Sequence, residues 1–232
     1  MKKKVYCLIC ARKNSKGLKN KNILKFKNST LVEHTFDQAL NSKYISKVFV
    51  STDSKKIIQL AKKKKIIVPF TRPQKLSGEK VPEMAVWKHF CEHLKKINDR
   101  PDYLIILPIT SPLRNQQDIS NGIKKIIKKN YDVIFSLAKS SKNPYFNMVN
   151  VINGRIKTVI SLKKKIFRRQ DAPECFDLTT VLYIVKFKYI LKCSNLYQTK
   201  AMGHILVPKT RSIDIDTKFD YDLVRIMTKW FY

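Results

Sequence analysis

The chain has 232 residues, with 48 Lys+Arg against 17 Asp+Glu for a formal charge of +31, and 44% of its residues are hydrophobic. That length accommodates one full-sized domain, and the apolar content excludes a disordered basic tail. Lysines interrupt the apolar runs within about ten residues, whereas a membrane helix needs about 20, so no spanning helix is expected.

Periodicity predicts alternating strands and helices. Lys4 to Cys10 is a continuous apolar run, hence a central strand, and a polar loop follows from Ala11 to Asn22. Thr30-Leu-Val-Glu33 has the spacing of a capping box and opens a helix to about Asn41. Lys47 to Ser51 reads as the second strand, Ser54 to Lys64 as a helix and Ile66 to Phe70 as the third strand. Pro82 then suits the first turn of a helix carrying Met84, Trp87, Cys91 and Leu94 on one face.

Tyr103 to Leu107 is the fourth strand, and Thr110-Ser-Pro-Leu-Arg114 is a loop before a helix from about Gln117 to Lys129. Asp132 to Leu137 is another strand. The period then changes: Phe146 to Ile152 and Arg155 to Leu162 are β-rich runs joined by Asn153-Gly154, a strong hairpin signal. Val181 to Val185 and His204 to Val207 resume the sheet, and Phe219 to Trp230 forms a closing amphipathic helix. This order predicts an α/β fold: a mostly parallel sheet with helices on both faces, in a single domain over 1–232 with a hairpin insertion at about 139–175. Ligands in such sheets bind at the carboxyl ends of the strands, so the loops after the first, third and fourth strands are expected to meet at one site.

Five cysteines at irregular positions read as free thiols. Cys7 and Cys10 have half the spacing of a zinc site but lie in an apolar strand without a second pair. Met1-Lys-Lys-Lys is followed by an apolar run too short for a signal peptide, which suggests a cytoplasmic protein. Only nine basic residues are Arg, and lysines occur in nearly every element. That is the pattern of a solvated basic surface that attracts anionic substrates; a basic nucleic-acid-binding protein without catalysis is the alternative from another class.

Two segments carry chemistry. The loop from Ala11 to Asn22 sets Arg12, Lys13, Lys16, Lys19 and Lys21 around Gly17, a composition suited to a polyphosphate although it is neither a Walker A nor a GxGxxG pattern. In Ser212-Ile-Asp-Ile-Asp-Thr217, a strand would put Asp214 and Asp216 on one face, where two carboxylates can hold a hard cation such as Mg²⁺. A helix start would use the same two acids in its first turn, and both readings stay open here.

Ala11-Arg12-x-Asn14-Ser15-Lys16-Gly17 with Lys21-Asn22, Ser51-Thr-Asp53, Arg72-Pro73, Thr110-Ser-Pro-Leu-Arg114, Arg169-Gln170 and Asp214-Ile-Asp216-Thr217 resemble, in order, the acylneuraminate cytidylyltransferases, or CMP-nonulosonate synthetases. The resemblance implies a Rossmann-like nucleotidyltransferase sheet and attack of the anomeric oxygen of a sialic-type 2-keto sugar acid on the α-phosphorus of CTP, giving a CMP-sugar and pyrophosphate for surface glycan biosynthesis. By motif, Arg12, Asn14, Ser15 and Lys21 would hold the triphosphate, and Asn22 and Arg72 would join the nucleotide pocket. Asp214 and Asp216 would carry Mg²⁺, with Mn²⁺ as a substitute. Arg12, Lys21 and Asp216 would be catalytic, with Asp216, or a metal-bound water beside it, as proton acceptor. Arg169 and Gln170 would face the sugar acid, and the insertion would build a homodimer with shared sites; neither a membrane nor a specific nucleic acid is implied as a partner. Two departures fall on the sugar side: Pro108-Ile109 stands where a Gln is common, and Asp177-Leu-Thr-Thr180 where Arg and Asn-Gly are common. They make legionaminate, pseudaminate or another nonulosonate at least as plausible as N-acetylneuraminate. A 3-deoxy-manno-octulosonate cytidylyltransferase is the alternative within the same chemistry.

Overall fold

A computed structural model describes residues 3–13, 17–162 and 166–231, the side chains of 230 and 231 excepted. The strands are β1 (Val5–Ala11), β2 (Lys25–Phe26), β3 (Ser29–Thr30), β4 (Lys47–Thr52), β5 (Tyr103–Ile106), β6 (Val133–Lys139), β7 (Val149–Ile152), β8 (Arg155–Thr158), β9 (Phe176–Lys186) and β10 (Met202–Leu206). The helices are α1 (Leu31–Leu40), α2 (Lys55–Lys63), α3 (Glu83–Lys96), α4 (Gln116–Lys129), α5 (Phe187–Ile190) and α6 (Lys218–Phe231). Six strands form the main sheet in the order β10-β6-β9-β5-β1-β4. β1 runs parallel to β4 and β5, and β10 parallel to β6, whereas β9 is antiparallel to both its neighbours.

The central strands are apolar on both faces because both faces are covered. Cys7, Ile9 and Ile105 point into a core with α1, α2 and α4, while Tyr6, Leu8, Leu104 and Ile106 pack against Val86, Trp87 and Phe90 of α3. The capping box at Thr30 and Glu33 forms as expected, with the Glu33 N–H donating to Thr30 Oγ1 over 3.4 Å and the Thr30 N–H to Glu33 Oε2 over 3.1 Å. Asn153 and Gly154 have φ of 50° and 71°, the two positive angles of a type I′ turn joining β7 to β8.

Two expected elements differ. Ile66 to Phe70 is not a strand: the chain is extended beside β4 but pairs only at isolated bridges, Phe49 with Ile67 and Thr52 with Thr71. Pro69, lying between those bridges, has no N–H to donate to a ladder. Ser212 to Thr217 likewise forms no strand, though its alternation survives at its end, since Ile215 is fully buried while Asp216 is exposed.

β9 carries a bulge that the sequence did not announce. Tyr183 pairs with Phe135 and Thr179 with the next residue, Ser136, so Thr180 to Leu182 have no partners of their own across that step. Ser136 Oγ fills the gap by donating to the Leu182 carbonyl, over 3.0 Å, and accepting from the Leu182 N–H, over 3.1 Å. Such irregularities re-aim side chains beside functional sites, and this one presents Thr180 to a cleft.

Candidate active site

The cleft, about 510 Å³, lies at the carboxyl ends of β1, β4 and β5. Arg12, Gly17, Lys21 and Asn22 reach it from the loop after β1, Arg72 from the extended edge segment, Pro108 and Thr110 from the loop after β5, and Asp214 and Asp216 from the segment before α6. The three loops expected to meet do so, even though the middle one does not follow a regular strand. Asn14 and Ser15 lie outside the described residues.

Each motif has a local reason for its position. Asp53 accepts from the Lys13 N–H over 2.7 Å, tying the β1 loop to the end of β4. Ser51 fixes Arg72, which is buried and donates from Nε to Ser51 Oγ over 3.0 Å and from one Nη to the Ser51 carbonyl. Asn22 donates from Nδ2 to the Arg12 carbonyl over 2.9 Å. Arg114, fully enclosed, donates to Gln38 Oε1 and to the carbonyls of Pro108 and Val181, so it holds the β5 loop in shape without reaching the cleft.

The acidic segment is clamped against the basic loop. Lys21 Nζ donates to the Ile215 carbonyl over 2.6 Å and to Asp216 Oδ1 over 2.9 Å. The Ile215 N–H donates to the Thr110 carbonyl over 2.8 Å. Gly17 approaches so closely that a Cβ there would overlap the Asp216 carbonyl oxygen, which is the need for glycine at this point. Arg211 forks onto Asp118 at the start of α4, over 2.7 and 3.1 Å. Asp220 caps α6 by accepting from the N–H and hydroxyl of Thr217, each over 2.7 Å, so the helix-start role belongs to Asp220, leaving Asp214 and Asp216 facing the cleft.

Asp214 is strained electrostatically. Burial raises its pKa and Asp216 adds to the rise, while hydrogen bonds from the Thr110 and Thr180 hydroxyls and the charge of Lys21 oppose it. Its Oδ1 is buried with no hydrogen-bond partner, and a carboxylate oxygen left so is an opening for a cation. Among the described residues no group of three or more His, Cys, Asp or Glu could hold a metal. Two oxygen donors suit Mg²⁺, which takes one or two carboxylates and completes its shell with water and phosphate.

Arg169 and Gln170 do not reach this cleft. They line a second cavity of about 570 Å³ in the 140–175 segment, where Arg169 donates from Nη2 to the Ser140 carbonyl over 2.9 Å. The two sequence departures do border the cleft, through Pro108 and Thr180, and Thr180 Oγ1 lies 2.7 Å from Ser111 Oγ. Glu83, on the cleft wall at the first residue of α3, was not anticipated as a site residue. Its sequence signal was only that of an acid in a first helical turn. Although open to the cleft, its carboxyl is raised by the surrounding protein, with Arg72 opposing, Asp214 adding and Arg12 opposing.

A family model described as cytidylyltransferase matches residues 6–220. The chain is 30% identical over 227 residues to CMP-N,N'-diacetyllegionaminic acid synthase of Campylobacter jejuni, spanning 96% of this chain and 94% of that one. It is 29% identical over 226 residues to post-translational flagellin modification protein B of Campylobacter coli, spanning 97% and 95%. Among solved structures, a CMP:2-keto-3-deoxy-manno-octonic acid synthetase complexed with CTP superposes with a TM-score of 0.73 at 16% identity, covering 98% of this chain and 99% of that one. The last likeness bears on the fold alone.

Proposed function

This chain belongs to the cytidylyltransferase family, and on that footing we propose that it condenses CTP with a nonulosonic acid to give the CMP-sugar and pyrophosphate. The observation that carries the reading is the cleft in which Lys21 of a basic loop meets Asp214 and Asp216. The octulosonate alternative is not favoured, because the octonic acid synthetase shares only 16% of its sequence, against 30% for the legionaminic acid synthase. The nucleic-acid alternative leaves this cleft unexplained.

In the reaction, the anomeric hydroxyl oxygen forms a bond to the α-phosphorus, the bond to the β-phosphate oxygen breaks, and pyrophosphate departs. Arg12 and Lys21, with Asn14 and Ser15, hold the triphosphate and compensate its charge where it builds up. Asn22 and Arg72 belong to the nucleotide pocket. Asp214 and Asp216 are the residues that would hold Mg²⁺ or Mn²⁺, which when bound would neutralise phosphoryl oxygens. Asp216 takes the hydroxyl proton; Lys21 engages its Oδ1, and its side chain is otherwise largely open to the cleft.

Arg169 and Gln170 serve the sugar acid from a partner's insertion. The 140–175 segment supports this, since Val151, Ile156 and Phe167 are each 70% or more exposed and have the apolar character of an interface between two copies. No helix among the described residues is long and apolar enough to cross a membrane, and we place the enzyme in the cytoplasm, where CTP is made. The test is pyrophosphate release from CTP with a panel of nonulosonic and octulosonic acids, with and without EDTA. Release that needs CTP, a divalent cation and one nonulosonate is expected; no release with any sugar while the protein is folded would overturn the reading.

A further inference from the structure

Glu83 is an acid among cations that pairs with none of them. It follows Pro82 as the first residue of α3 and lines the cleft with Arg12 and Arg72, yet it makes no hydrogen bond or ion pair with any described residue. Arg72 stands in a complementary state. Its Nε and one Nη are spent on Ser51, and the other Nη has no hydrogen bond to a described residue. Arg72 and Glu83 line the same cleft, and the charge of Arg72 opposes the rise that burial imposes on the Glu83 carboxyl. The cleft wall thus offers an unused acceptor near an unused donor, both on rigid supports: a 14-residue helix and a serine at the end of β4.

That pair matches one pyrimidine and not the other. Cytosine presents an amino donor at N4 and acceptors at N3 and O2; uracil presents an acceptor at O4 and a donor at N3. We propose that Glu83 selects the base, its carboxylate accepting from the cytosine N4 amino group while Arg72 donates to the acceptor edge of the ring. Uracil would set O4 against the carboxylate and N3–H against the guanidinium; O2, common to both bases, would still accept from Arg72, so the carboxylate is the group left unpaired, a situation that costs a site far more than a lost methylene does. The inference deepens the proposed reaction and rests on CTP being its nucleotide. A helix-dipole role alone would leave Glu83 indifferent to which base is bound.

The experiment is calorimetric binding of CTP and UTP to the full chain and to Glu83→Gln and Glu83→Ala, with pyrophosphate release measured alongside. The wild type is expected to prefer CTP. In Glu83→Gln the preference for CTP over UTP should fall about tenfold or more, because a carboxamide can turn either its oxygen or its amino group to the ring. Glu83→Ala should weaken CTP without strengthening UTP to the same degree, and the KM for the sugar acid should stay unchanged in both. Equal binding of CTP and UTP by the wild type, an unaltered CTP preference in Glu83→Gln, or an effect confined to the sugar acid would each overturn the inference. Binding is read without turnover, so the two readings fail separately. A wild type that prefers CTP but releases no pyrophosphate sinks the proposed reaction alone, and an active variant with unaltered base preference sinks the Glu83 assignment alone.

Discussion

At Asp214 folding and chemistry pull in opposite directions. A carboxyl whose pKa is raised on folding binds more protons in the native than in the unfolded state, so its contribution to stability is fully present below the ordinary carboxylate pKa and declines as pH rises through the folded value. Near neutral pH the ionised, half-buried group with its unpartnered Oδ1 therefore costs stability. In EDTA, Asp214→Asn is expected to raise the thermal unfolding midpoint at pH 7–8, with the gain shrinking as pH falls toward 4. The same substitution should lower turnover about a hundredfold or more, as loss of an electrostatic group at a reacting phosphate does. Calorimetry across pH and the pyrophosphate assay check the two halves, and a lower midpoint at neutral pH would contradict the account. Such an exchange of stability for function is what the proposed cation site would require.

At the level of elements, the segment from Arg211 to Thr217 is neither strand nor helix, and it is positioned by other elements rather than by its own backbone pattern. Arg211 grips Asp118, itself nearly fully buried and simultaneously the acidic partner of a capping box with Asn115 at the start of α4. The Ile215 N–H reaches the β5 loop and Lys21 grips the far end. Cutting the fork should let the acidic segment drift without emptying the cleft. Arg211→Ala is expected to reduce kcat about tenfold or more while KM for CTP changes little, since a misplacement of the order of an ångström is costly to a reacting geometry. Arg211→Lys, which keeps charge but loses the planar two-point grip, should recover only part of the rate. Equal falls in kcat and rises in KM for CTP would mean that the fork supports the nucleotide pocket instead. The β9 bulge is the same principle in another element: Ser136 stabilises an irregularity that delivers Thr180 to the cleft.

For the whole molecule, two features bear on the proposed pairing of copies: the +31 charge and the apolar hairpin segment. A net charge this large repels a second copy, so the proposed association at β7–β8 would have to come from apolar burial. Placing charges there with the pair Val151→Glu and Ile156→Glu is expected to convert a dimer to a monomer in sedimentation while α/β secondary structure by circular dichroism is retained. Turnover should fall with it if Arg169 and Gln170 serve a partner's cleft. A wild type that sediments as a monomer at micromolar concentration and is fully active would remove the shared-site arrangement.

Most of the layered fold was legible in the amino-acid order, because strand burial and helix amphipathicity are written in local periods. Leu104 and Ile105 point to opposite cores as their alternation says, and Thr30 with Glu33 caps α1 as their spacing says. It also pointed to the loops that line the cleft, through Arg12, Lys21, Asn22, Arg72 and the two aspartates. Tertiary structure decided what depends on residues far apart in the chain. Pro69 removed a donor from a run that is otherwise strand-like, and the Asp214 segment took its shape from Thr110, Lys21 and Asp118 rather than from its own alternation. Glu83 and Thr180 became cleft residues only when α3 and the bulged β9 were packed beside β1 and β5. Arg169 and Gln170 show the same dependence at a larger scale, for their distance from the cleft within one chain is a property of how the insertion is carried on the sheet. Hydrogen bonds that span ninety or more residues leave no period in a sequence, and only the folded chain brings their two ends together.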